Sequence, residues 1–247
     1  MRKYYTRACN FYYGTKAKNL VKKKLALPLC GNKNIAFDNI EIISRGKKIK
    51  LIDVKNIKKL PKQIKKTVLK DIKNIVFKRT NLNKYSNISA PLIMGVLNLT
   101  PDSFSDGGLY LQSKKAFTHI NNMISKGADI IDVGGESTRP GSKTIAYKVE
   151  WMRLKKIIIN FKKKFPKTLL SIDTRKSEVM LKSIKHKSDI INDVSGFNYD
   201  YKAINKIKNY NVWKVLHHMQ GTPSTMQIKP SYKNVLLDVY DFFEKKI

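Results

Sequence analysis

From Pro91 onward the chain repeats one pattern five times: an apolar run of about six residues, a polar or glycine-containing turn, then a longer stretch with helical spacing. The runs are Leu92 to Leu97, Ala128 to Val133, Thr168 to Ile172, Asp189 to Val194 and Val212 to Leu216. They are continuously apolar rather than alternating, as parallel strands covered on both faces are. Stretches such as Gln112 to Lys126 and Val149 to Phe165 supply the crossover helices that parallel pairing requires. A doubly wound sheet and a (β/α)8 barrel both use this pattern. The residues closing each run separate the two: Asn98, Asp132, Asp173, Asn192 with Asp193, and His217 with His218. Functional groups at the ends of several different strands are the barrel arrangement, whereas a doubly wound sheet gathers its ligand at one switch point. Gly134-Gly135 also lacks the GxGxxG spacing of a dinucleotide site. The expected fold class is therefore α/β, of the (β/α)8 TIM-barrel type, with only the first five βα units present over residues 91–247.

Residues 1–86 read as a separate, small, basic α+β appendage. Ile35 to Arg45 alternates like one or two short strands, and Ile57 to Phe77 reads as a basic helix with Ile64, Val68, Ile72 and Ile75 on one face. A Lys/Asn-rich linker, Asn81 to Asn87, follows, and no motif in this section carries chemistry.

The formal charge of +32 first suggests nucleic acid or an anionic membrane as partner. Only seven of the 50 basic residues are Arg, however, and the Lys residues are spread along the whole chain. Arg is the residue suited to forked recognition of phosphates and base edges, so a specific nucleic-acid partner is not expected. Abundant Lys, Asn and Ile are what A+T-rich coding DNA produces, and the positive surface still attracts anionic small molecules. No run approaches the ~18 apolar residues of a membrane span. Cys9 and Cys30 are too few for a zinc site or a disulfide framework and are expected as reduced thiols in the cytoplasm.

Four segments concentrate groups able to do chemistry. Ile93 to Gly108, IMGVLNLTPDSFSDGG, is a strand ending in Asn98, whose amide oxygen can ligate a hard cation, followed by a loop able to fold over a ligand. Gly127 to Ser142, GADIIDVGGESTRPGS, ends its strand in Asp132 and continues into a loop of donors. Ser171-Ile172-Asp173-Thr174 and Ile191-Asn192-Asp193-Val194-Ser195-Gly196 put a carboxylate and a carboxamide on neighbouring strand ends. Carboxylate plus carboxamide can complement the mixed donor and acceptor edge of a fused pterin ring. His217-His218 has no His, Cys or carboxylate beside it at a metal-ligand spacing, and reads as packing plus a strand-end hydrogen bond.

These four blocks, with a fifth from His217 to Gln227 (HHMQGTPSTMQ), make the chain from about Pro91 onward resemble the dihydropteroate synthases. The resemblance implies condensation of 6-hydroxymethyl-7,8-dihydropterin diphosphate with 4-aminobenzoate, giving 7,8-dihydropteroate and pyrophosphate. By motif position it assigns Asn98 to Mg²⁺ held by the diphosphate, Asp173 and Asn192 to the pterin, and Thr138 to the diphosphate side. It makes Asp132 and Asp173, with Arg139, the catalytic groups, the two carboxylates facing a cation delocalised into the dihydropterin. Ser103, Phe104, Thr138, Arg139 and Pro140 are expected to close over the site and exclude water. Pterin barrels that transfer methyl groups to a corrinoid resemble the chain less, lacking the Thr100 to Gly108 loop.

The span from Leu92 to Ile247 is far shorter than the ~250 residues of a full (β/α)8 barrel. The family's Asp-Pro-Gly, Ser-Arg-Lys and Arg-x-His blocks have no counterpart in it. The expectation is an incomplete record of a synthase, a transferase whose chain as given is inactive by itself, with a homodimer open to the completed protein; the alternative is a non-catalytic, truncated pterin-binding or pairing module. The amphipathic stretch from Val235 to Ile247 is expected to be the helix after strand five.

Overall fold

The computed structural model describes residues 2–78, 91–100, 109–137 and 142–247, the side chains of 109–112 aside. The chain forms two compact units, Met1–Asn87 together with Tyr232–Ile247, and Ile88–Ser231.

In the first unit β1 (Tyr5–Tyr13) leads into α1 (Gly14–Lys22), followed by β2 (Leu27–Leu29), β3 (Asn32–Ile43), β4 (Lys50–Asp53), a 3₁₀ turn (Val54–Lys59) and α2 (Lys62–Val76). The long β3 organises the sheet: β1 pairs antiparallel along one side, while β2 and then β4 pair along the other. Ile40 and Ile42, which alternation puts on one face, enter a core with Ile57, Val68 and Ile72 that Phe37 also joins. Pro61 stands just before α2, where a missing N–H costs nothing and the ring presets the entry angle. The expected basic helix therefore begins at Lys62, and the residues before it take the tighter 3₁₀ path.

The second unit is built on five parallel strands: β5 (Met94–Asn98), β6 (Ile130–Gly134), β7 (Leu169–Asp173), β8 (Ile190–Asp193) and β9 (Trp213–Leu216). Their order in the sheet is their order in the chain. Between them run α3 (Leu109–Ser125), α4 (Tyr147–Lys164), α5 (Ser177–Lys185) and the short α6 (Ala203–Ile207). Sequential, parallel strands joined by helices form the front of a (β/α) barrel, as the sequence pattern implies. One face of the sheet buries Leu97, Ile131, Val133, Leu170, Ile172 and Ile191 against Ile120, Leu154, Ile158, Phe161 and Met180 of the helices. Strand side chains alternate, so the opposite face carries Met94, Val96 and Asn98, then Asp132, Ser171, Asp173 and Asn192. That second face holds the polar strand ends.

The strands reach one residue further than the apolar runs suggest at Asn98, Gly134 and Asp173, because these residues form the last rungs of the ladder. A second difference concerns α7 (Val235–Lys246), assigned by the sequence pattern to the barrel section of residues 91–247. It belongs to the first unit: Leu237 packs with Tyr5 and Ile43. Arg45 bonds Asp238 (2.6 Å) and Asp241 (2.9 Å), and the Tyr5 hydroxyl donates to Asp241 at 2.7 Å. No helix among the described residues is long and apolar enough to cross a membrane.

Candidate active site at the ends of the parallel strands

The ladder brings four strand ends into one row, Asn98 opposite Gly134, Gly134 opposite Asp173, and Asp173 opposite Asn192. Gly134 is what lets the row close. A Cβ built there would lie 3.3 Å from Asn98 Oδ1 and 3.5 Å from Asp173 Oδ2, so the carboxamide and the carboxylate lean over the bare backbone from both sides. One step down the same face, Asp132 stands opposite Ser171. Asn192 Nδ2 reaches past β7 to donate to Asp132 Oδ2 at 3.2 Å, and its Oδ1 lies 2.7 Å from His217 Nε2. The hydrogen bond expected at the end of the fifth strand is thus made to Asn192, whereas the packing expected there is not made by His217, which is exposed.

Polar groups are left open here. Asp132 Oδ1 and Ser171 Oγ are buried without a hydrogen bond of normal geometry among the described residues. A buried oxygen without a partner costs free energy unless a ligand, a water or a rotated hydroxyl supplies one. Ser171, opposite Asp132 in the ladder, is placed to turn toward it.

The two carboxyls differ. Burial pushes Asp173 up to about 7, and Asp132, Glu150, Asp193 and Glu136 push the same way by like-charge repulsion. Burial also raises Asp132, but the neighbouring Ser171 hydroxyl, the Asn192 amide and His217 pull in the opposite direction. Asp132 therefore holds negative charge more readily than Asp173, and positive charge arriving beside Asp173 favours its ionised form. Asp193 is engaged otherwise: it accepts from Ser195 N and Oγ at 2.7 Å each and from Phe197 N at 3.1 Å, fixing the turn after β8.

Behind the row lies a buried ion cluster that sequence reasoning missed. Glu136, just past β6, accepts from Arg175 (2.8 Å), Lys176 (2.9 Å) and Ile145 N (3.0 Å). Lys176 also reaches the fully buried Glu150 of α4 at 2.7 Å. Arg175 stacks on the Tyr199 ring, 4.2 Å from its centroid. The cluster ties the segments after β6 and β7 to α4, setting where the strand-end loops start. Its one sequence signal is a charged residue directly after a turn motif, Glu136 after Gly-Gly and Arg175-Lys176 after Asp-Thr.

Of the expected site residues, Asn98, Asp132, Asp173 and Asn192 come together on one face. Ser103, Phe104, Thr138, Arg139 and Pro140 lie outside the described residues. Among the described residues no group of three or more His, Cys, Asp or Glu could hold a metal ion. The Asn98 carboxamide is a single hard oxygen donor at an exposed strand end, which fits a hard cation that keeps most of its waters.

Residues 94–247 match the family described as pterin binding enzyme. The dihydropteroate synthase of Escherichia coli strain K12 is 40% identical over 161 residues, covering 65% of this chain and 56% of that protein. A crystal structure of the Yersinia pestis dihydropteroate synthase with a sulfonamide drug complex superposes with a TM-score of 0.58 at 36% identity, covering 63% of this chain and 56% of that one. The Burkholderia cenocepacia dihydropteroate synthase complexed with 7,8-dihydropteroate gives 0.54 at 35% identity, covering 64% and 52%. The chain spans just over half the length of these relatives.

Proposed function

The chain belongs to the pterin-binding enzyme family, and on that premise we propose that its site serves dihydropteroate synthesis, joining 6-hydroxymethyl-7,8-dihydropterin diphosphate to 4-aminobenzoate with release of pyrophosphate. The observation that carries the reading is the convergence of Asn98, Asp173, Asn192 and Asp132 on one face of adjacent strand ends. Asp173 and Asn192, opposite each other in register, offer a carboxyl and a carboxamide side by side to the donors and acceptors of the pterin edge.

The reaction exchanges a C–O bond for a C–N bond. As the C–O bond breaks, its electron pair leaves on the pyrophosphate and positive charge spreads into the dihydropterin. Asp132 faces that charge as a carboxylate. Asp173, held near neutrality in its affinity for a proton, gains most from a cation beside it, so its attraction to the ring strengthens as the bond breaks. An interaction stronger in the transition state than in the ground state lowers the barrier. The neutral arylamine then attacks through its lone pair and releases a proton to solvent. Asn98 would hold Mg²⁺ against the diphosphate, and the ion would supply charge neutralisation for the departing group. Ser103, Phe104, Thr138, Arg139 and Pro140 are assigned to cover the site, with Thr138 on the diphosphate side and Arg139 on the developing charge; exclusion of water protects the cation from hydrolysis. The free thiols Cys9 and Cys30 suit a reducing, cytoplasmic setting.

Titration of the 247-residue chain with 6-hydroxymethyl-7,8-dihydropterin diphosphate in Mg²⁺ tests the reading, followed by a pyrophosphate-release assay with 4-aminobenzoate. Saturable binding that Asp173→Asn weakens is expected. Absence of binding in the wild-type chain overturns the proposal, and binding without pyrophosphate release assigns the narrower role of a pterin-binding module.

A further inference from the structure

His217 has no part in the scheme above, yet it touches a residue that does. Asn192 is opposite Val215 in the ladder, and His217 lies two residues beyond Val215, so its side chain rises on the same face as Asn192. Its Nε2 is 2.7 Å from Asn192 Oδ1, while Asn192 Nδ2 is 3.2 Å from Asp132 Oδ2. The second bond crosses over β7 at the level where Ser171 and Asp173 sit, and the small Ser171 opposite Asp132 leaves the path open. Three strand ends are thereby linked through one amide.

A side-chain amide is nearly symmetric in shape but not in hydrogen bonding, so what surrounds it decides which end points where. The Asp132 carboxylate accepts only, and must therefore face Nδ2. Oδ1 is then turned to His217, whose Nε2 has to carry the hydrogen. A flipped Asn192 would set two oxygens against each other at Asp132. The relay leaves the second Nδ2–H and the second lone pair of Oδ1 as the groups presented to a ligand.

We infer that His217 is a positioning residue: in the Nε2–H form it locks the Asn192 carboxamide in the one orientation that matches the pterin edge. The inference rests on the assignment of Asn192 to the pterin. A site built to pair with a polar edge discriminates strongly against ligands whose donors and acceptors do not match, provided its own groups cannot swivel. His217 sets that condition without itself touching reacting atoms.

Two measurements on the full 247-residue chain test this. In the first, without ligand, long-range ¹⁵N–¹H correlation at pH 8 reads the His217 tautomer, and the Asn192 side-chain amide signal is followed in His217→Ala and His217→Gln. The expected result is an Nε2–H imidazole, an Asn192 amide that shifts and broadens in His217→Ala, and its return in His217→Gln, whose amide N–H can take the place of Nε2–H. In the second, calorimetry with 6-hydroxymethyl-7,8-dihydropterin should show about five-fold weaker binding for His217→Ala, the scale of one lost hydrogen bond, with recovery to within about two-fold in His217→Gln. In an Asn192→Ala background, His217→Ala should cost nothing further. An Nδ1–H tautomer, an unchanged Asn192 amide in His217→Ala, or the same loss of binding with and without Asn192 overturns the inference. Failure of the wild-type chain to bind any dihydropterin sinks the functional proposal instead, and the tautomer and amide signals still decide the relay.

Discussion

Asp173→Asn should make the ligand-free second unit more stable at pH 8 while making it a poorer binder. The folded protein holds the Asp173 carboxyl at about 7 against an ordinary value of 3.8. The folded state thus binds this proton more tightly than the unfolded chain does. The stabilisation it contributes is complete below about pH 4 and is lost as pH climbs through about 7. Three units at about 1.4 kcal/mol each bring the loss to roughly 4 kcal/mol at pH 8, an upper figure because local relaxation will relieve some of it. Asparagine has nearly the same shape and no proton to lose, so the variant escapes this penalty. Both tryptophans, Trp151 and Trp213, lie in the second unit, so fluorescence-monitored urea unfolding reports on it directly. Between pH 4.5 and pH 8 the stability of Asp173→Asn relative to wild type should improve by about 2–4 kcal/mol. A difference between the two proteins that stays constant across that range refutes the account of Asp173 as a buried carboxyl pressed toward its neutral form. Dihydropterin titration of the same variant should show weakened binding, the usual cost when a strained functional group is relieved.

Asn98→Ala should leave the urea midpoint unchanged, because Asn98 is an exposed strand end, yet lower Mg²⁺-dependent binding of the dihydropterin diphosphate; unaltered metal dependence counts against the Asn98 assignment. The adjacent glycines should separate site from core. Gly134→Ala places a methyl beside Asn98 and Asp173 and should weaken ligand binding with little change in stability. Gly135→Ala drives a methyl to 2.9 Å from Leu154 and 3.1 Å from Glu150, and should cost about 1–3 kcal/mol in urea unfolding. Lys176→Met strips the partner from the fully buried Glu150 and should destabilise by about 3–5 kcal/mol, with Lys176→Met/Glu150→Leu recovering much of the loss, since a buried charge left alone costs more than an apolar pair.

The parallel strands and their polar ends are legible in the sequence because burial on both faces demands uninterrupted apolar runs, and an Asn or Asp at the end of such a run stands out. The ends themselves shift because Asn98 and Asp173 still make ladder bonds, which side-chain polarity does not report. Strand β1 escapes the pattern: YTRACNFYY mixes aromatic, charged and small residues, and becomes a strand through pairing with β3 rather than by its own alternation. The cluster of Glu136, Glu150, Arg175 and Lys176 is invisible for another reason. In a chain with 28% charged residues, nothing local distinguishes a buried ion from a solvated one. The amphipathic pattern of Val235 to Lys246 correctly marks a helix but not its neighbour, because an apolar stripe fits any complementary surface, and here Tyr5 and Ile43 provide it.

That attachment of α7 makes the first unit discontinuous, with consequences for the order of assembly. Arg45 and Asp238 are separated by 193 residues, and Arg2 and Glu244 by 242. Contacts so distant in sequence form slowly, because the loop they close must be ordered before they reward it. During synthesis the amino-terminal strands emerge first but must wait, with Tyr5 and Ile43 uncovered, until everything through α7 has left the ribosome. The beginning of the chain is therefore finished last.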